Sequence, residues 1–254
     1  MSRGKPRLLL TVSARVNPVA NIKIKNNLLA LVLILTALPL SARVSKPVVE
    51  QIAADIGRYM STSSERPELG LTPIHCASTL LVASLRNVPG TSRPSPVLQH
   101  AAMCVLTPLI GYVADAVVAV AEAEGNDQAD SANIASILEG LREVVRGLVT
   151  WCNGLPEDVK PRGYGILVPT LCLLLDPGSP SEPSQMHLIA TNTLLSLAAS
   201  SPKAFKDATQ AMPEGERAGL ERAVREAVGA RAKPQSAQQP SVERKGIELK
   251  SFGA

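Results

Sequence analysis

Three histidines and four cysteines are the side chains of this chain best suited to metal or nucleophilic chemistry. His75 directly precedes Cys76, and His100 precedes Cys104 by one helical turn, so the second pair would share a helix face. A zinc site takes four protein ligands, or three and a water molecule, and no Asp, Glu or further Cys completes either pair by spacing. We therefore predict no metal site and no cofactor, and ordinary packing roles for both pairs.

Sequence patterns of enzymes that use an activated serine or a phosphate-binding loop are not found, because neither GxSxG nor GxxxxGK[ST] occurs. The carboxylates of residues 122–130 lack the spacing of a calcium loop. Trp151, the single tryptophan, is interpreted as a core residue. The cysteines form no CxxC and lie far apart in apolar segments, as is typical of buried free thiols in a reducing compartment: Cys76, Cys104, Cys152 and Cys172. We predict no catalytic residues and a protein that is not an enzyme.

The positive charge is concentrated at the start of the chain. The formal net charge is +4, yet residues 1–49 hold eight Lys or Arg and no acidic residue, so the rest is nearly neutral. A nucleic-acid groove needs basic residues along one folded face and aromatic side chains for stacking, and only 2% of this chain is aromatic. The charge distribution therefore predicts no nucleic-acid partner.

Leu, Ala and Val dominate the hydrophobic residues, which make up 45% of the chain and favour helices packed through aliphatic side chains. Short breaks rich in proline separate segments of helical periodicity, and Pro108 is expected to kink or split the longest segment. The predicted helices cover residues 47–60, 71–85, 97–124, 131–152, 164–175, 186–199, 202–212 and 214 onwards. This pattern predicts an all-α fold of stacked antiparallel helix pairs, a HEAT-like α-solenoid or armadillo-type superhelix, with a compact irregular bundle as the alternative.

The apolar run LLALVLILTALPL at residues 28–40 has two interpretations. It is either a buried helix of the stack, capped by Asn26 or Asn27 and closed by Pro39, or part of a segment, residues 1–42, that is cleaved after secretory or mitochondrial targeting. Thirteen residues are too few for a transmembrane helix, which takes roughly 20. The sequence alone leaves both interpretations open.

The composition divides the chain into three parts. Residues 1–20 are a basic lead that we expect to be disordered, and residues 21–230 are the HEAT-like helical repeat domain. Residues 231–254 are a tail rich in Lys, Pro, Gln and Ser, a composition typical of disorder. Ile247, Leu249 and Phe252 return near the end of the tail and are our candidate motif for binding a partner. A third possibility, a small-ligand-binding bundle, would require a pocket among the Leu and Val faces, and no ligand is evident from the sequence.

Residues 185–227, QMHLIATNTLLSLAASSPKAFKDATQAMPEGERAGLERAVREA, resemble the carboxyl end of the HEAT-repeat-containing protein five family. The preceding LVPTLCLLLDPGS and the final IELKSF add to this resemblance, which extends back to about residue 45. Members of that family are large cytosolic scaffolds associated with the clathrin adaptor complex of the trans-Golgi network and endosomes. The resemblance implies a cytoplasmic scaffold for membrane trafficking, peripheral to Golgi or endosomal membranes, with clathrin adaptor components as partners and only indirect membrane association.

Overall fold

A computed structural model describes residues 18–37, 46–61, 69–88, 94–124, 131–176 and 183–232 of the chain. These residues form helices joined by short connections, and no strand is assigned among them beyond the single bridge between Asn87 and Pro94. The helices are α1 (Pro18–Ala37), α2 (Lys46–Ser61), α3 (Thr72–Ala83), α4 (Pro96–Glu124), α5 (Ser131–Gly154), α6 (Lys160–Cys172), α7 (Gln185–Ser200), α8 (Pro202–Gln210) and α9 (Glu214–Ala232).

The helices pack in two rows. In the first row each odd-numbered helix contacts the next, from α1 through α3, α5 and α7 to α9, and in the second row α2 packs on α4 and α6 packs on α8. Consecutive helices from α1 to α8 contact each other across the rows, and one apolar core runs from Leu28 in α1 to Leu220 in α9. The prediction of an all-α fold made of stacked antiparallel helix pairs is confirmed.

The amphipathic pattern of α5 determines which of its faces is buried. Leu138, Leu141, Val145, Leu148 and Cys152 are buried, as their spacing predicts. On the opposite face two exposed arginines form ion pairs with glutamates one helical turn away: Arg142 with Glu139, and Arg146 with Glu143. Such exposed pairs contribute little stability, about 0–1 kcal/mol each, so burial of the aliphatic face holds the helix in place.

Glycines at heptad spacing allow α3 and α5 to pack closely. Gly140, Gly147 and Gly154 lie on one face of α5, and a Cβ atom built on Gly147 would lie 2.8 Å from Ser78 Oγ and 2.9 Å from Ser78 Cβ of α3. Real Cβ atoms do not approach other atoms so closely, so only glycine fits at Gly147. Ser78 itself is buried, and its hydroxyl group has no hydrogen-bond partner among the described residues. The α3–α5 contact therefore depends on the absence of a side chain at Gly147.

Of the two outcomes predicted for Pro108, a kink or a split, the split does not occur, because α4 continues through Pro108 as one helix. The proline ring packs against α2, where a Cβ atom built on Gly57 would lie 2.9 Å from Pro108 Cγ. Packing on α2 and α3 thus compensates for the backbone hydrogen bond that a proline removes. By length and composition alone, residues 96–122 are apolar enough to cross a membrane, although Val105, Leu109 and Val113 are buried inside the stack.

Two helices begin earlier than their sequence patterns indicate. Helix α1 begins at Pro18, so that Asn26 and Asn27 lie inside it instead of capping it, and α6 begins at Lys160 because Pro161 suits a first helical turn. Leu28 and Val32 of α1 are buried in the core, which favours the interpretation of the apolar run as a helix of the stack. Pro39 and the proposed cleavage region at residues 41–43 lie outside the described residues, as do most of the basic lead and all but the first two residues of the tail.

Candidate functional site

The first histidine–cysteine pair is separated by its helix. His75 of α3 is exposed and its Nδ1 lies 3.4 Å from Glu143 Oε1 of α5, whereas Cys76 is buried in the core. Burial raises the pKa of the Cys76 thiol to about 11, so it stays protonated and is a poor metal ligand at neutral pH. The pair contributes to packing and to one surface contact, as the sequence indicates.

The second histidine–cysteine pair, His100 and Cys104, lies beside the carboxylate of Glu50, which is too far away in sequence for spacing to predict. His100 Nε2 lies 3.0 Å from Glu50 Oε1 of α2 and 3.9 Å from Cys104 Sγ. A catalytic triad needs one imidazole nitrogen for the thiol and the other for the carboxylate, but here the same nitrogen, His100 Nε2, faces both groups. Burial, and to a lesser extent the charge of Glu50, raises the pKa of Cys104 above its ordinary value, so the arrangement does not activate the thiol.

A serine, a histidine and an aspartate also meet at the start of α7. Ser184 Oγ donates to Asp176 Oδ1 at 2.7 Å and accepts from the His187 backbone N–H at 3.1 Å, while His187 Nδ1 accepts from the Asp176 backbone N–H at 3.1 Å. The hydroxyl proton is directed to the carboxylate rather than to the imidazole, so the serine is not activated for attack. These three residues form a helix cap that joins the end of α6 to the start of α7.

The cap makes a testable contribution to stability. Replacing Ser184 with alanine removes the acceptor for the first turn of α7 and the hydroxyl partner of Asp176, and we expect the free energy of unfolding to fall by about 1–2 kcal/mol. Urea unfolding followed by circular dichroism measures this change. Ser196→Ala, at an exposed position of the same helix, is the matched control and should leave stability unchanged or slightly higher. Equal stability of the two variants would contradict the role of the cap.

A shallow cavity of about 290 Å³ opens where α1, α3 and α5 meet. Its lining mixes polar and apolar side chains: Lys25, Leu29, Leu71, Thr72, His75 and Glu143. It is not the apolar pocket among Leu and Val faces that a small-ligand-binding bundle requires. In the part of the chain that the structure describes, no group of three or more His, Cys, Asp or Glu side chains is arranged to hold a metal ion.

Exposed apolar side chains are the remaining candidates for function. Trp151 is buried, as the sequence indicates, and it therefore offers no surface anchor. On α4, by contrast, one exposed stripe contains almost no charge and carries two large apolar side chains, Met103 at 59% and Val118 at 56% exposure. We name this stripe the α4 face, and its residues are Met103, Thr107, Gly111, Ala114 and Val118. Sequence reasoning missed it because the stripe looks like one side of an apolar core helix.

The candidate partner motif, Ile247, Leu249 and Phe252, lies outside the described residues and stays a prediction. Comparison with known proteins gives one result that covers most of the chain. Residues 45–237 match the model of a family described as LAA1-like, C-terminal TPR repeats. No curated protein and no solved structure matches the chain significantly.

The match begins at the residue before α2 and ends five residues after α9, so it covers every described helix except α1. Repeats of the tetratricopeptide (TPR) type are helix pairs that stack into a superhelix, which agrees with the two rows of helices. Helical-repeat families of this kind are typically noncatalytic scaffolds for protein interaction. The chain belongs to the LAA1-like family and contains its C-terminal TPR repeats.

Proposed function

We propose that this protein is a noncatalytic scaffold in clathrin-adaptor-linked transport between endosomes and the trans-Golgi network. The observation that carries the proposal is the family match over α2–α9. The resemblance of residues 185–227 to the carboxyl end of the HEAT-repeat-containing protein five family supports it. On this proposal the protein acts in the cytoplasm and associates with Golgi or endosomal membranes through its partners.

The rows of helices suit a scaffold because they expose long faces at fixed positions. The core is mostly aliphatic and lies on the buried sides of the helices, so the exposed residues can differ from helix to helix without altering the core. Helix α9 illustrates this separation. Leu220 and Ala223 are buried against the stack, while Glu221, Arg222 and Arg225 are exposed. The stack thus presents chemically different surfaces along its length, as separate binding sites for proteins require.

The tail provides the candidate contact with the adaptor. Ile247 and Leu249 are two residues apart, so in an extended peptide their side chains point to the same side, and Phe252 adds an aromatic anchor. We propose that this motif binds a clathrin adaptor component while the repeat stack holds other protein partners. Binding of a short motif to a partner leaves the repeat stack free to act as a rigid support.

Affinity purification from cells tests the proposal. The tagged full chain should recover clathrin adaptor and coat subunits, identified by mass spectrometry. An Ile247→Ala/Leu249→Ala/Phe252→Ala variant should lose them while keeping the partners of the repeat stack. The matched control is Val242→Ala/Glu248→Ala/Lys250→Ala, which also changes three residues of the tail but keeps the motif intact. If the full chain recovers no adaptor subunit above an untagged control, the trafficking role is wrong.

A further inference from the structure

Helix α1 has an outer side that faces away from the other described helices. It packs on α3 and α2 with the side that holds Leu28 and Val32, both buried in the core. On its outer side Leu33 is 65% exposed and Ile22 is 59% exposed. Leu33 is the most exposed large apolar side chain in the part of the chain that the structure describes. The end of the stack at α1 therefore presents aliphatic side chains to its surroundings.

We name this surface the α1 outer face, and its exposed residues are Ile22, Lys23, Asn26, Asn27, Ala30 and Leu33. The face combines aliphatic side chains with a lysine and two amides, and it contains no acidic residue. A helix that places basic groups beside exposed aliphatic side chains suits the boundary between the headgroups and the acyl chains of a lipid layer. The composition of the face thus matches the chemistry of a membrane surface.

The charge at this end of the chain has one sign. Residues 1–49 hold eight Lys or Arg and no acidic residue. The first two acidic residues of the sequence belong to α2, and both already have partners: Glu50 Oε1 lies 3.0 Å from His100 Nε2, and Asp55 pairs with Arg58. Clusters of basic residues beside an apolar helix are attracted to anionic lipids. An anionic surface therefore complements the α1 end of the stack.

Two other exposed surfaces of the stack lack this combination. Helix α9, at the opposite end, exposes charges of both signs, Glu221, Arg222, Arg225 and Glu226, as terminal helices of repeat proteins do where they face water. The α4 face is apolar but contains almost no charge. Of these three surfaces, only the α1 outer face joins exposed aliphatic side chains to an excess of positive charge.

We propose that the α1 outer face binds the surface of a membrane that contains anionic lipids. Ala30 and Leu33 enter the boundary between headgroups and acyl chains, while Lys23 and the basic residues that precede α1 in sequence contact the negatively charged headgroups. A nucleic acid is also anionic, but it offers no apolar layer for exposed aliphatic side chains. The proposal adds a direct lipid contact to the association through protein partners, and it does not depend on adaptor binding.

Flotation of the purified full chain with lipid vesicles tests the proposal, because the vesicles contain no protein. An intact-mass measurement first confirms that the chain retains residues 1–42. The chain should float with phosphatidylcholine vesicles that contain about 30% phosphatidylserine, and it should not float with pure phosphatidylcholine vesicles. Salt at about 0.5 M should release most of the bound chain, because salt screens the attraction between the charges. A chain that floats with neither vesicle, or equally with both, would overturn the proposal.

Four variants at exposed positions assign the contact to α1. Leu33→Asp should weaken binding to the anionic vesicles at least tenfold, whereas Val228→Asp, at an exposed apolar residue of α9, should bind like the unchanged chain. Lys23→Glu and Lys206→Glu lower the net charge equally, but only Lys23→Glu should weaken binding, by about fivefold or more. Circular dichroism confirms that each variant keeps its helix content. Equal binding of all four variants would overturn the assignment to the α1 outer face.

A protein partner is the competing occupant of the α1 outer face. If the full chain does not float with anionic vesicles, and Leu33→Asp loses a protein that the unchanged chain recovers from cells, a protein occupies the face and the lipid proposal is wrong. Recovery of adaptor subunits is measured separately, with the variants of the tail. The failure of one proposal is therefore distinguishable from the failure of the other.

Discussion

Replacing Gly147 with leucine is expected to lower the free energy of unfolding by about 3 kcal/mol, because the side chain has no space between α5 and α3. Even the first added carbon would lie 2.8 Å from Ser78 Oγ and 3.5 Å from Ser78 Cα. The helices would have to separate along a contact that lies in the middle of the odd-numbered row. Urea unfolding followed by circular dichroism measures the loss.

Whether a glycine-to-alanine substitution raises or lowers the free energy of unfolding is a sharper form of the same test. Gly147→Ala should destabilise, whereas Gly165→Ala in α6 should stabilise by about 1 kcal/mol, since a Cβ atom at Gly165 meets nothing within 4 Å. The double variant Ser78→Gly/Gly147→Ala removes the overlap, because the Ser78 side chain is gone, and should recover part of the stability that Gly147→Ala loses. If both single alanine variants stabilise the protein, α3 and α5 do not pack as described.

Alkaline pH is expected to lower the free energy of unfolding of this protein through its buried cysteines. Burial raises the pKa of Cys152 from its ordinary 9.0 to about 12, and burial, with a smaller effect of Glu216, raises the pKa of Cys172 to about 11. The unfolded chain releases these protons near pH 9, while the folded chain keeps them. The stabilisation is therefore complete below pH 9 and is lost as the pH rises towards 11 and 12, by about 1.4 kcal/mol per pH unit for each thiol.

Urea unfolding at a series of pH values from about 8 to 11 measures how the free energy of unfolding falls with pH. Burial also raises the pKa of Tyr112 to about 12, so Tyr112 adds to the fall above pH 10. Cys152→Ala provides the control. It should be less stable at pH 8 because a buried sulfur atom is removed, and its stability should depend less steeply on pH. Unchanged stability up to pH 11 would show that the thiols are not buried in the folded protein.

The helices could be predicted from the sequence because their apolar periodicity and proline punctuation are local signals. The buried stripe of α5, from Leu138 to Cys152, follows directly from spacing. The predicted starts of α1 and α6 were wrong because Asn26, Asn27 and Tyr164 were given more weight than two prolines. Pro18 and Pro161 suit a first helical turn. The split into two helices, one of the two outcomes expected at Pro108, was wrong because contacts with α2 compensate for the missing hydrogen bond.

The candidate sites were harder to predict because they join residues from different helices. Glu50 reaches His100 from another helix, and the Asp176–Ser184–His187 cap spans a connection between α6 and α7. Spacing along one helix cannot show either contact. The α4 face was missed for a different reason: an apolar stripe has the same sequence pattern whether it is covered by the core or exposed. The seven-residue spacing of three glycines in α5 was visible in the sequence, but only the position of Ser78 shows that Gly147 allows α3 to pack closely.

We propose that this helical-repeat scaffold binds clathrin adaptor components. Isothermal titration of the purified full chain with the purified clathrin adaptor complex tests it most directly. We expect saturable binding of the full chain that is lost in Ile247→Ala/Leu249→Ala/Phe252→Ala, while the helix content measured by circular dichroism is unchanged. A folded chain that produces no binding heat and does not co-sediment with the adaptor complex would contradict the claim.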